Sequence, residues 1–211
     1  MRESELAEAI VRHAKALYDR GLTHGSTGNI SVRLADGWLM TPTGASFGHL
    51  DPARLSRLGS KGELLSGDAP TKEAALHRAM YDARPASGAV VHLHATHSVA
   101  VSVLQDVNSE DVLPPLTAYY VMRIGRLPLV PFFPPGDAQL AEAVRGYAGR
   151  HHALLLANHG PVVAGSSLEA AVDAIEELEA TARLHLLLRH ERCRPLNAAQ
   201  VADVAARFPH R

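Results

Sequence analysis

The feature that most constrains the fold is an apolar run at residues 88–95, with the sequence GAVVHLHA. Its β-branched residues favour a buried strand, and its two histidines, His92 and His94, stand at alternate positions. Alternate residues of a strand face the same side, so both imidazoles would leave the sheet together. Such a pair is half of a tetrahedral metal site. Two hydrogen-bonded histidines at a strand end are the alternative, and a third ligand elsewhere would decide between the two.

The composition excludes several classes of protein. With 211 residues, of which 46% are hydrophobic, the chain can bury the core of one domain, expected to span residues 1–211. Lys and Arg number 21 against 22 Asp and Glu, so no global charge favours nucleic acid or a membrane as a partner. The single cysteine, Cys193, excludes an intrachain disulfide, and no apolar run approaches the roughly 18 residues that span a bilayer. We therefore expect a soluble cytoplasmic protein.

The first part of the chain predicts a helix followed by a β-hairpin. Apolar residues repeat at helical spacing over residues 6–18, and Gly21 is placed to end that helix. The pair Asp36-Gly37 lies between two strand-like runs and is a hairpin signal. Loops of Gly, Ser, Thr and Asn at residues 26–29 and 43–44 could turn backbone N–H groups toward an anion. By composition alone, ordinary turns are favoured.

Two helix starts follow the hairpin. Asp51 precedes a short helix expected to stop by Gly59, and Thr71 is placed to N-cap a helix over residues 72–84. Glu73 and His77 lie four residues apart and so share one face of that second helix. A glutamate in a first turn ordinarily complements the helix dipole, and nothing local ties Glu73 to a metal.

A proline-rich segment interrupts the second half of the chain. Residues 113–135 hold six of the thirteen prolines, which predicts an extended, irregular path with at most short strands. The segment carries Tyr119, Tyr120, Arg123 and Arg126, polar groups that a substrate could use. A surface or a subunit contact is at least as good an interpretation.

The remaining segments alternate between helices and strands. Thr96 can cap a helix running to about residue 104, and Asp137 a helix running to about residue 149. Two short apolar strands flank a turn at residues 158–160, where His159 is a candidate third metal ligand. Ser166 with Glu169 predicts a capping box for a helix over residues 168–189, and Asn197 begins a last helix. This order predicts an α/β layered fold with a mixed or antiparallel sheet.

Five motifs, taken in order, resemble the class II aldolase and adducin family, typified by L-fuculose-phosphate aldolase. They are GNIS at residues 28–31, TPTG at 41–44, PTKE at 70–73 with His77 following, HLH at 92–94 and NHG at 158–160. Longer runs at residues 92–101, 113–131 and 155–165 resemble the family's 3-oxo-tetronate 4-phosphate decarboxylase subgroup. The resemblance covers about residues 5–190. It implies a single-domain layered α/β fold with a mixed or antiparallel central sheet flanked by helices.

The resemblance also implies roles for individual residues. His92, His94 and His159 would be the metal ligands, and Glu73 the general acid and base, in some members also a ligand. The substrate phosphate would be bound by Gly28, Asn29, Thr43, Gly44, Thr71 and Lys72. Lys72 stands where the aldolases usually have serine, and a cation there favours an acidic substrate, although a solvated helix lysine is the alternative.

The reaction that the subgroup implies is the decarboxylation of 3-oxo-tetronate 4-phosphate, in four-carbon acid-sugar catabolism. One divalent ion per subunit, expected to be Zn²⁺, would chelate the ketone and the neighbouring hydroxyl. Carbon dioxide would leave as electrons flow into a metal-stabilised enediolate, and Glu73 would protonate C2 to give dihydroxyacetone phosphate. Tyr119 or Tyr120 would donate a hydrogen bond to the substrate, since the family builds its sites near subunit interfaces of a homotetramer.

Two alternatives remain open at the level of sequence. An aldolase would use the same intermediate to give dihydroxyacetone phosphate and an aldehyde. A non-catalytic adducin-like interaction domain would keep the fold and is expected to lose the metal ligands, whereas Glu73 and the three histidines are present.

Overall fold

One sheet of eight strands runs through the structure, a computed structural model that describes residues 2–209. The strands are β1 (Asn29–Leu34), β2 (Gly37–Met40), β3 (Ser56–Gly59), β4 (Leu64–Ser66), β5 (Ala89–His92), β6 (Leu129–Val130), β7 (Ala153–Leu156) and β8 (Gly160–Gly165). Their order across the sheet is β4-β3-β2-β1-β5-β8-β7-β6. Neighbours are antiparallel except β6 and β7, which are parallel. The predicted mixed sheet is confirmed.

Helices cover both faces of this sheet. They are α1 (Glu3–Asp19), α2 (Ala74–Ala83), α3 (Thr96–Ser102), α4 (Ala118–Arg123), α5 (Ala138–Ala148), α6 (Leu168–Leu188) and α7 (Ala198–Arg207). One core cluster joins α1, α3, α4 and α6 to one face, and a second joins α2 and α5 to the other. Side chains of the strands alternate between the two clusters, as Val91 and Val90 do in β5, because successive residues of a strand face opposite ways. No helix within residues 2–209 is long and apolar enough to cross a membrane.

The central strand β5 is buried along its whole length between β1 and β8. Its last residue, His92, pairs with Asn29 of β1 and with Val162 of β8. The predicted strand is therefore present, but it ends at His92, and His94 lies in the connection to α3. The fold thus places His92, the first predicted ligand, at the end of a strand that is paired on both sides.

Two predictions for the first half were wrong in detail. Asp51 does accept a hydrogen bond from the backbone of Ala53 at 2.9 Å, but the helix it begins is a single 3₁₀ turn, Pro52–Arg54. Residues 56–59 form the strand β3 instead, because pairing with β2 satisfies their backbone groups. The helix expected from residue 72 begins at Ala74, with Glu73 at its N-cap position.

Three predictions for the second half also need correction. Residues 113–135 are not irregular throughout, because α4 begins after Thr117, whose hydroxyl accepts a hydrogen bond from the backbone of Tyr120 at 3.0 Å. The N-cap of α6 is Ser167, not Ser166. Helix α3 begins at Thr96 rather than being capped by it, and ends at Ser102. The caps predicted at Asp137 and Asn197 are confirmed.

Candidate metal centre

Four side chains from distant parts of the chain meet beside the end of β5. One ligand atom from each of Glu73, His92, His94 and His159 lies within 4.8 Å of the others. The three imidazoles form a nearly equilateral triangle, with ring centroids 5.0 Å apart for His92 and His94 and 4.8 Å from each of these to His159. The structure therefore brings together all four residues expected to hold a metal.

A strained turn brings His159 to this place. Asn158 and Gly160, on either side of it, have φ values of 55° and 153°, which are in the region that L side chains rarely adopt. A Cβ atom on Gly160 would lie 2.2 Å from the carbonyl oxygen of Leu93, so only glycine lets this turn approach the end of β5. The Asn-His-Gly turn therefore allows the imidazole of His159 to come close to those of His92 and His94.

Several buried polar atoms of these side chains have no hydrogen-bond partner. They are Oε1 of Glu73, Nε2 of His92 and both ring nitrogens of His159, all buried. His92 donates from Nδ1 to the carbonyl oxygen of Pro161 at 2.8 Å; because that oxygen can only accept, the lone pair of Nε2 faces the group. Buried polar atoms left unpaired are costly, and a divalent cation would bind Nε2 of His92, one ring nitrogen of His159 and, in the absence of substrate, Oε1 of Glu73. The residues present fit a metal ion.

The protonation states favour metal binding at neutral pH. Burial lowers the pKa of both His92 and His94 to about 4, so these imidazoles are neutral at pH 7. Burial acts to raise the pKa of Glu73, but the charge interaction with His92, the close contact with His159 and the amide of Asn29 hold that pKa below its usual range. Metal ligands must be deprotonated, and these three groups already are.

A chain of buried hydrogen bonds orients Glu73. The amide of Asn29 donates to Oε2 of Glu73 at 2.8 Å. Since a carboxylate accepts, Nδ2 of Asn29 is the donor, and Oδ1 of the same amide must accept from Nε2 of His77. His77 then accepts at Nδ1 from the hydroxyl of Ser31 at 2.7 Å. Each donor and acceptor role in this series of hydrogen bonds follows from the carboxylate of Glu73, which can only accept.

Sequence reasoning gave His77 no role of its own at the site. The side chain is buried, and burial lowers its pKa to about 3, which keeps the ring neutral as the chain of hydrogen bonds requires. The signals in the sequence were its position four residues after Glu73, on the same helix face, and its place directly after the PTKE motif.

The loops expected to bind phosphate lie around the start of α2. Gly28, with φ of 81°, packs so closely on the end of β5 that a Cβ atom would lie 3.0 Å from the carbonyl oxygen of His92. Pro42 pairs with Pro70, and the backbone of Thr43 donates to Ala69 at 2.9 Å, which joins the loop at residues 43–44 to the loop before α2.

The remaining residues of these loops differ in exposure. Thr71 is buried and its hydroxyl accepts from the backbone of Glu73 at 3.2 Å, whereas Thr43, Gly44 and Lys72 are exposed. The exposed residues are accessible to a ligand, while Thr71 positions the backbone at the start of α2.

The two tyrosines do not join the group of four within residues 2–209. Both tyrosines belong to α4. Tyr119 is 60% exposed, whereas Tyr120 is buried in the core and its hydroxyl has no hydrogen-bond partner. Their role toward a substrate stays a prediction.

A second carboxylate anchors the segment that follows His94. Glu179 of α6 accepts from the backbone of His97 at 2.9 Å and of Ser98 at 2.8 Å, and also from the ring of His97 at 2.7 Å. These bonds satisfy the first turn of α3 and so hold the connection in which His94 lies.

Comparisons with known proteins point to one family. The profile of the Class II Aldolase and Adducin N-terminal domain matches residues 8–186. The chain is 47% identical over 203 residues to the 3-oxo-tetronate 4-phosphate decarboxylase of Escherichia coli K12, covering 96% of both chains. It is 33% identical over 188 residues to the L-fuculose phosphate aldolase of the same strain, covering 88% of this chain and 85% of the aldolase.

A solved structure is similar to this chain over nearly its whole length. The crystal structure of YgbL from Escherichia coli, described as a candidate aldolase, epimerase or decarboxylase, superposes with a TM-score of 0.93 at 46% identity. The superposition covers 96% of this chain and 98% of YgbL.

Proposed function

This chain belongs to the class II aldolase and adducin family, and we propose that it is a metal-dependent carbon–carbon lyase that decarboxylates 3-oxo-tetronate 4-phosphate. The observation that carries the proposal is the buried group of Glu73 and three histidines, whose unpaired atoms suit a cation. The decarboxylase relative is more similar to this chain than the aldolase relative, which favours loss of CO₂ over loss of an aldehyde.

His92, His94 and His159, with Glu73 beside them, would hold the ion. Zn²⁺ is the ion we expect, because three imidazole nitrogens with room for a substrate oxygen are typical of catalytic zinc sites. When bound, the ion supplies Lewis-acid stabilisation of the negative charge that develops on substrate oxygens.

Glu73 would move the proton that the reaction consumes. When the bond between C1 and C2 breaks and CO₂ leaves, C2 must gain one proton to become the hydroxymethyl carbon of dihydroxyacetone phosphate. Asn29 occupies Oε2 of Glu73, whereas Oε1 is free of hydrogen bonds and lies 3.2 Å from Nε2 of His159. We assign Oε1 as the oxygen that carries the proton to C2, after taking it from solvent.

The neighbouring loops would position the substrate. Gly28, Asn29, Thr43, Gly44, Thr71 and Lys72 are the proposed phosphate-binding residues, and the contacts that join their loops to the start of α2 support this. The exposed ammonium group of Lys72 is next to Glu73 in the chain, where it would attract an acidic substrate. Binding of the phosphate, away from the reacting carbon atoms, would align the bond between C1 and C2 that breaks.

We also propose that the chain forms a single domain over residues 1–211 and assembles as a cytoplasmic homotetramer. Tyr119, exposed on α4, would reach the substrate of a neighbouring subunit, and its exposure supports it over the buried Tyr120. The family resemblance is the basis for this assembly.

The test is CO₂ release from 3-oxo-tetronate 4-phosphate by zinc-loaded protein, with dihydroxyacetone phosphate detected by a coupled assay. We expect release by the wild type and by the control Glu110→Gln, which changes an exposed glutamate, and its loss in Glu73→Gln. Absence of release from metal-replete wild type, with cleavage of L-fuculose 1-phosphate to an aldehyde, would replace the decarboxylase by the aldolase. Failure to bind any divalent metal would instead support the non-catalytic alternative.

A further inference from the structure

The helix that follows the ligand His94 is capped by a carboxylate from a distant helix. Ala95, the N-cap residue of α3, offers no side-chain acceptor to the first turn. Glu179 of α6 supplies it instead: Oε1 accepts from the backbone and the ring of His97, and Oε2 from the backbone and the hydroxyl of Ser98. All four distances are 2.7–2.9 Å. The start of α3 is therefore held by a residue 82 positions away from His97.

This cap requires a carboxylate. Glu179 is 9% exposed, and each of its oxygens faces two donors from one residue. A carboxylate can accept at both oxygens, whereas one end of a glutamine amide is an NH₂ group, which only donates. Whichever way such an amide were turned, the donors of either His97 or Ser98 would lose their acceptor. Glu179→Gln thus breaks the cap while it preserves the shape of the side chain.

Helix α6 gives the carboxylate of Glu179 a fixed place relative to the other two histidine ligands. Ile175 of α6 belongs to the same core cluster as buried residues of β5 and β8. Strand β5 ends at His92, and β8 begins directly after His159. The helix that bears the cap therefore packs on the two strands that position these ligands.

The ring of His94 depends on its backbone for its position. His92 is oriented by the bond from its Nδ1 to the carbonyl oxygen of Pro161, whereas the ring of His94 forms no hydrogen bond within residues 2–209. Before His94, the backbone of Leu93 donates to the same carbonyl oxygen of Pro161 at 3.2 Å. After it, Ala95 leads directly into the first turn of α3. The place of α3 therefore sets the place of His94.

We propose that Glu179 is a positioning residue of the metal centre, which raises the affinity for the metal by holding α3 and, through it, the backbone of His94. A Cβ atom on Gly160 would lie 3.3 Å from Cα of His94, so the turn that bears His159 packs on the same backbone. A displacement of His94 would therefore disturb a second ligand as well. The inference rests on the metal binding of the proposed function and is independent of which substrate is cleaved.

The experiment measures metal binding rather than activity. The affinity of the full chain for Zn²⁺ is determined by competition with a chromophoric chelator, and the visible absorption spectrum of the Co²⁺-loaded protein reports the ligand geometry. Both are measured on the wild type and Glu179→Gln, at a temperature at which circular dichroism shows that each is folded. Glu177→Gln is the matched control, since this carboxylate of the same helix accepts from the hydroxyls of Thr117 and Thr181 and does not contact α3.

We expect Glu179→Gln to weaken Zn²⁺ binding by roughly 10- to 100-fold, the range found when a metal ligand loses an outer partner. Its Co²⁺ spectrum should differ from that of the wild type, whereas Glu177→Gln should match the wild type in both measurements. Ser98→Ala serves as a second variant if Glu179→Gln does not fold, because it removes one of the four hydrogen bonds and keeps the carboxylate. It should weaken Zn²⁺ binding by about threefold or more.

Unchanged metal binding in both variants would overturn the proposal. If Glu179→Gln and Ser98→Ala bind Zn²⁺ within about twofold of the wild type and give its Co²⁺ spectrum, the cap contributes only to the stability of the fold. That result would leave the proposed function intact, since the wild type would still bind the metal. A wild type that binds no divalent metal would instead overturn this inference and the metal-dependent function together.

Discussion

The amide of Asn29 donates to Oε2 of Glu73 at 2.8 Å, and this contact leaves Oε1 as the carboxylate oxygen without a hydrogen bond. Oε2 also lies 3.4 Å from Nε2 of His92, while Oε1 is left without a hydrogen bond, 3.2 Å from Nε2 of His159. His77 fixes the amide in turn by donating to its oxygen. The orientation of the proposed acid and base thus depends on Asn29 and on His77, whose ring is linked to the carboxylate of Glu73 through the amide of Asn29.

Replacing Asn29 by Ala should lower kcat for CO₂ release by roughly 10- to 100-fold, because a buried hydrogen bond to a charged group contributes about 1.5–3 kcal/mol. Asn108→Ala, at an exposed loop position, is the control and should leave kcat unchanged. A rise in KM with kcat unchanged would mean that Asn29 acts only in binding phosphate, and that Glu73 does not need it for orientation.

His77 should make the free energy of unfolding depend on pH. Its pKa is about 3 in the folded protein, because burial disfavours the charged ring, and about 6.5 when the chain is unfolded. Between these values the unfolded chain binds a proton that the folded chain does not, so stability is full above about pH 6.5 and falls as the pH is lowered. In the metal-free protein, urea unfolding across this range should show a shallower pH dependence for His77→Gln, by up to about 1.4 kcal/mol per pH unit. Equal slopes for the two proteins would contradict a buried neutral His77.

Removing one imidazole of the triangle should release the metal. For His159→Ala we expect Zn²⁺ affinity to fall by more than about a hundredfold, since even the loss of an outer partner of a ligand costs 10- to 100-fold. His49→Ala changes an exposed histidine and should keep one zinc per chain in elemental analysis and competition titration. Retention of stoichiometric zinc by His159→Ala would exclude His159 as a ligand.

Replacement by alanine should change the stability of the protein in opposite directions at Gly160 and at Gly146. At Gly160 a methyl group would collide with the carbonyl oxygen of Leu93 and φ is 153°, so Gly160→Ala should destabilise the protein by several kcal/mol. At Gly146, inside α5, a Cβ atom meets nothing within 4 Å, and alanine should stabilise by up to about 1 kcal/mol. Thermal unfolding of both variants checks this; a neutral Gly160→Ala would mean that the turn can relax without its glycine.

Much of the fold was predictable because its signals are local. The hairpin at Asp36-Gly37 and the caps at Asp137 and Asn197 depend on side chains within a few residues of the backbone groups that they satisfy. By contrast, the segment 56–59 was assigned to a helix because its strand exists only by pairing with β2, and no local pattern reveals a partner strand. Helix α4 was missed since prolines around it outweighed the cap at Thr117.

For the candidate site, the sequence by itself determined the four side chains that could hold a metal, from the His-x-His pattern and the order of the family's motifs. Tertiary structure alone decided that Asn29 holds Glu73, 44 residues away, that His77 belongs to the site, and that Glu179 caps α3. The physical reason is that such hydrogen-bond partners meet where strands and helices distant in the chain pack together, whereas residue type and spacing report only on near neighbours.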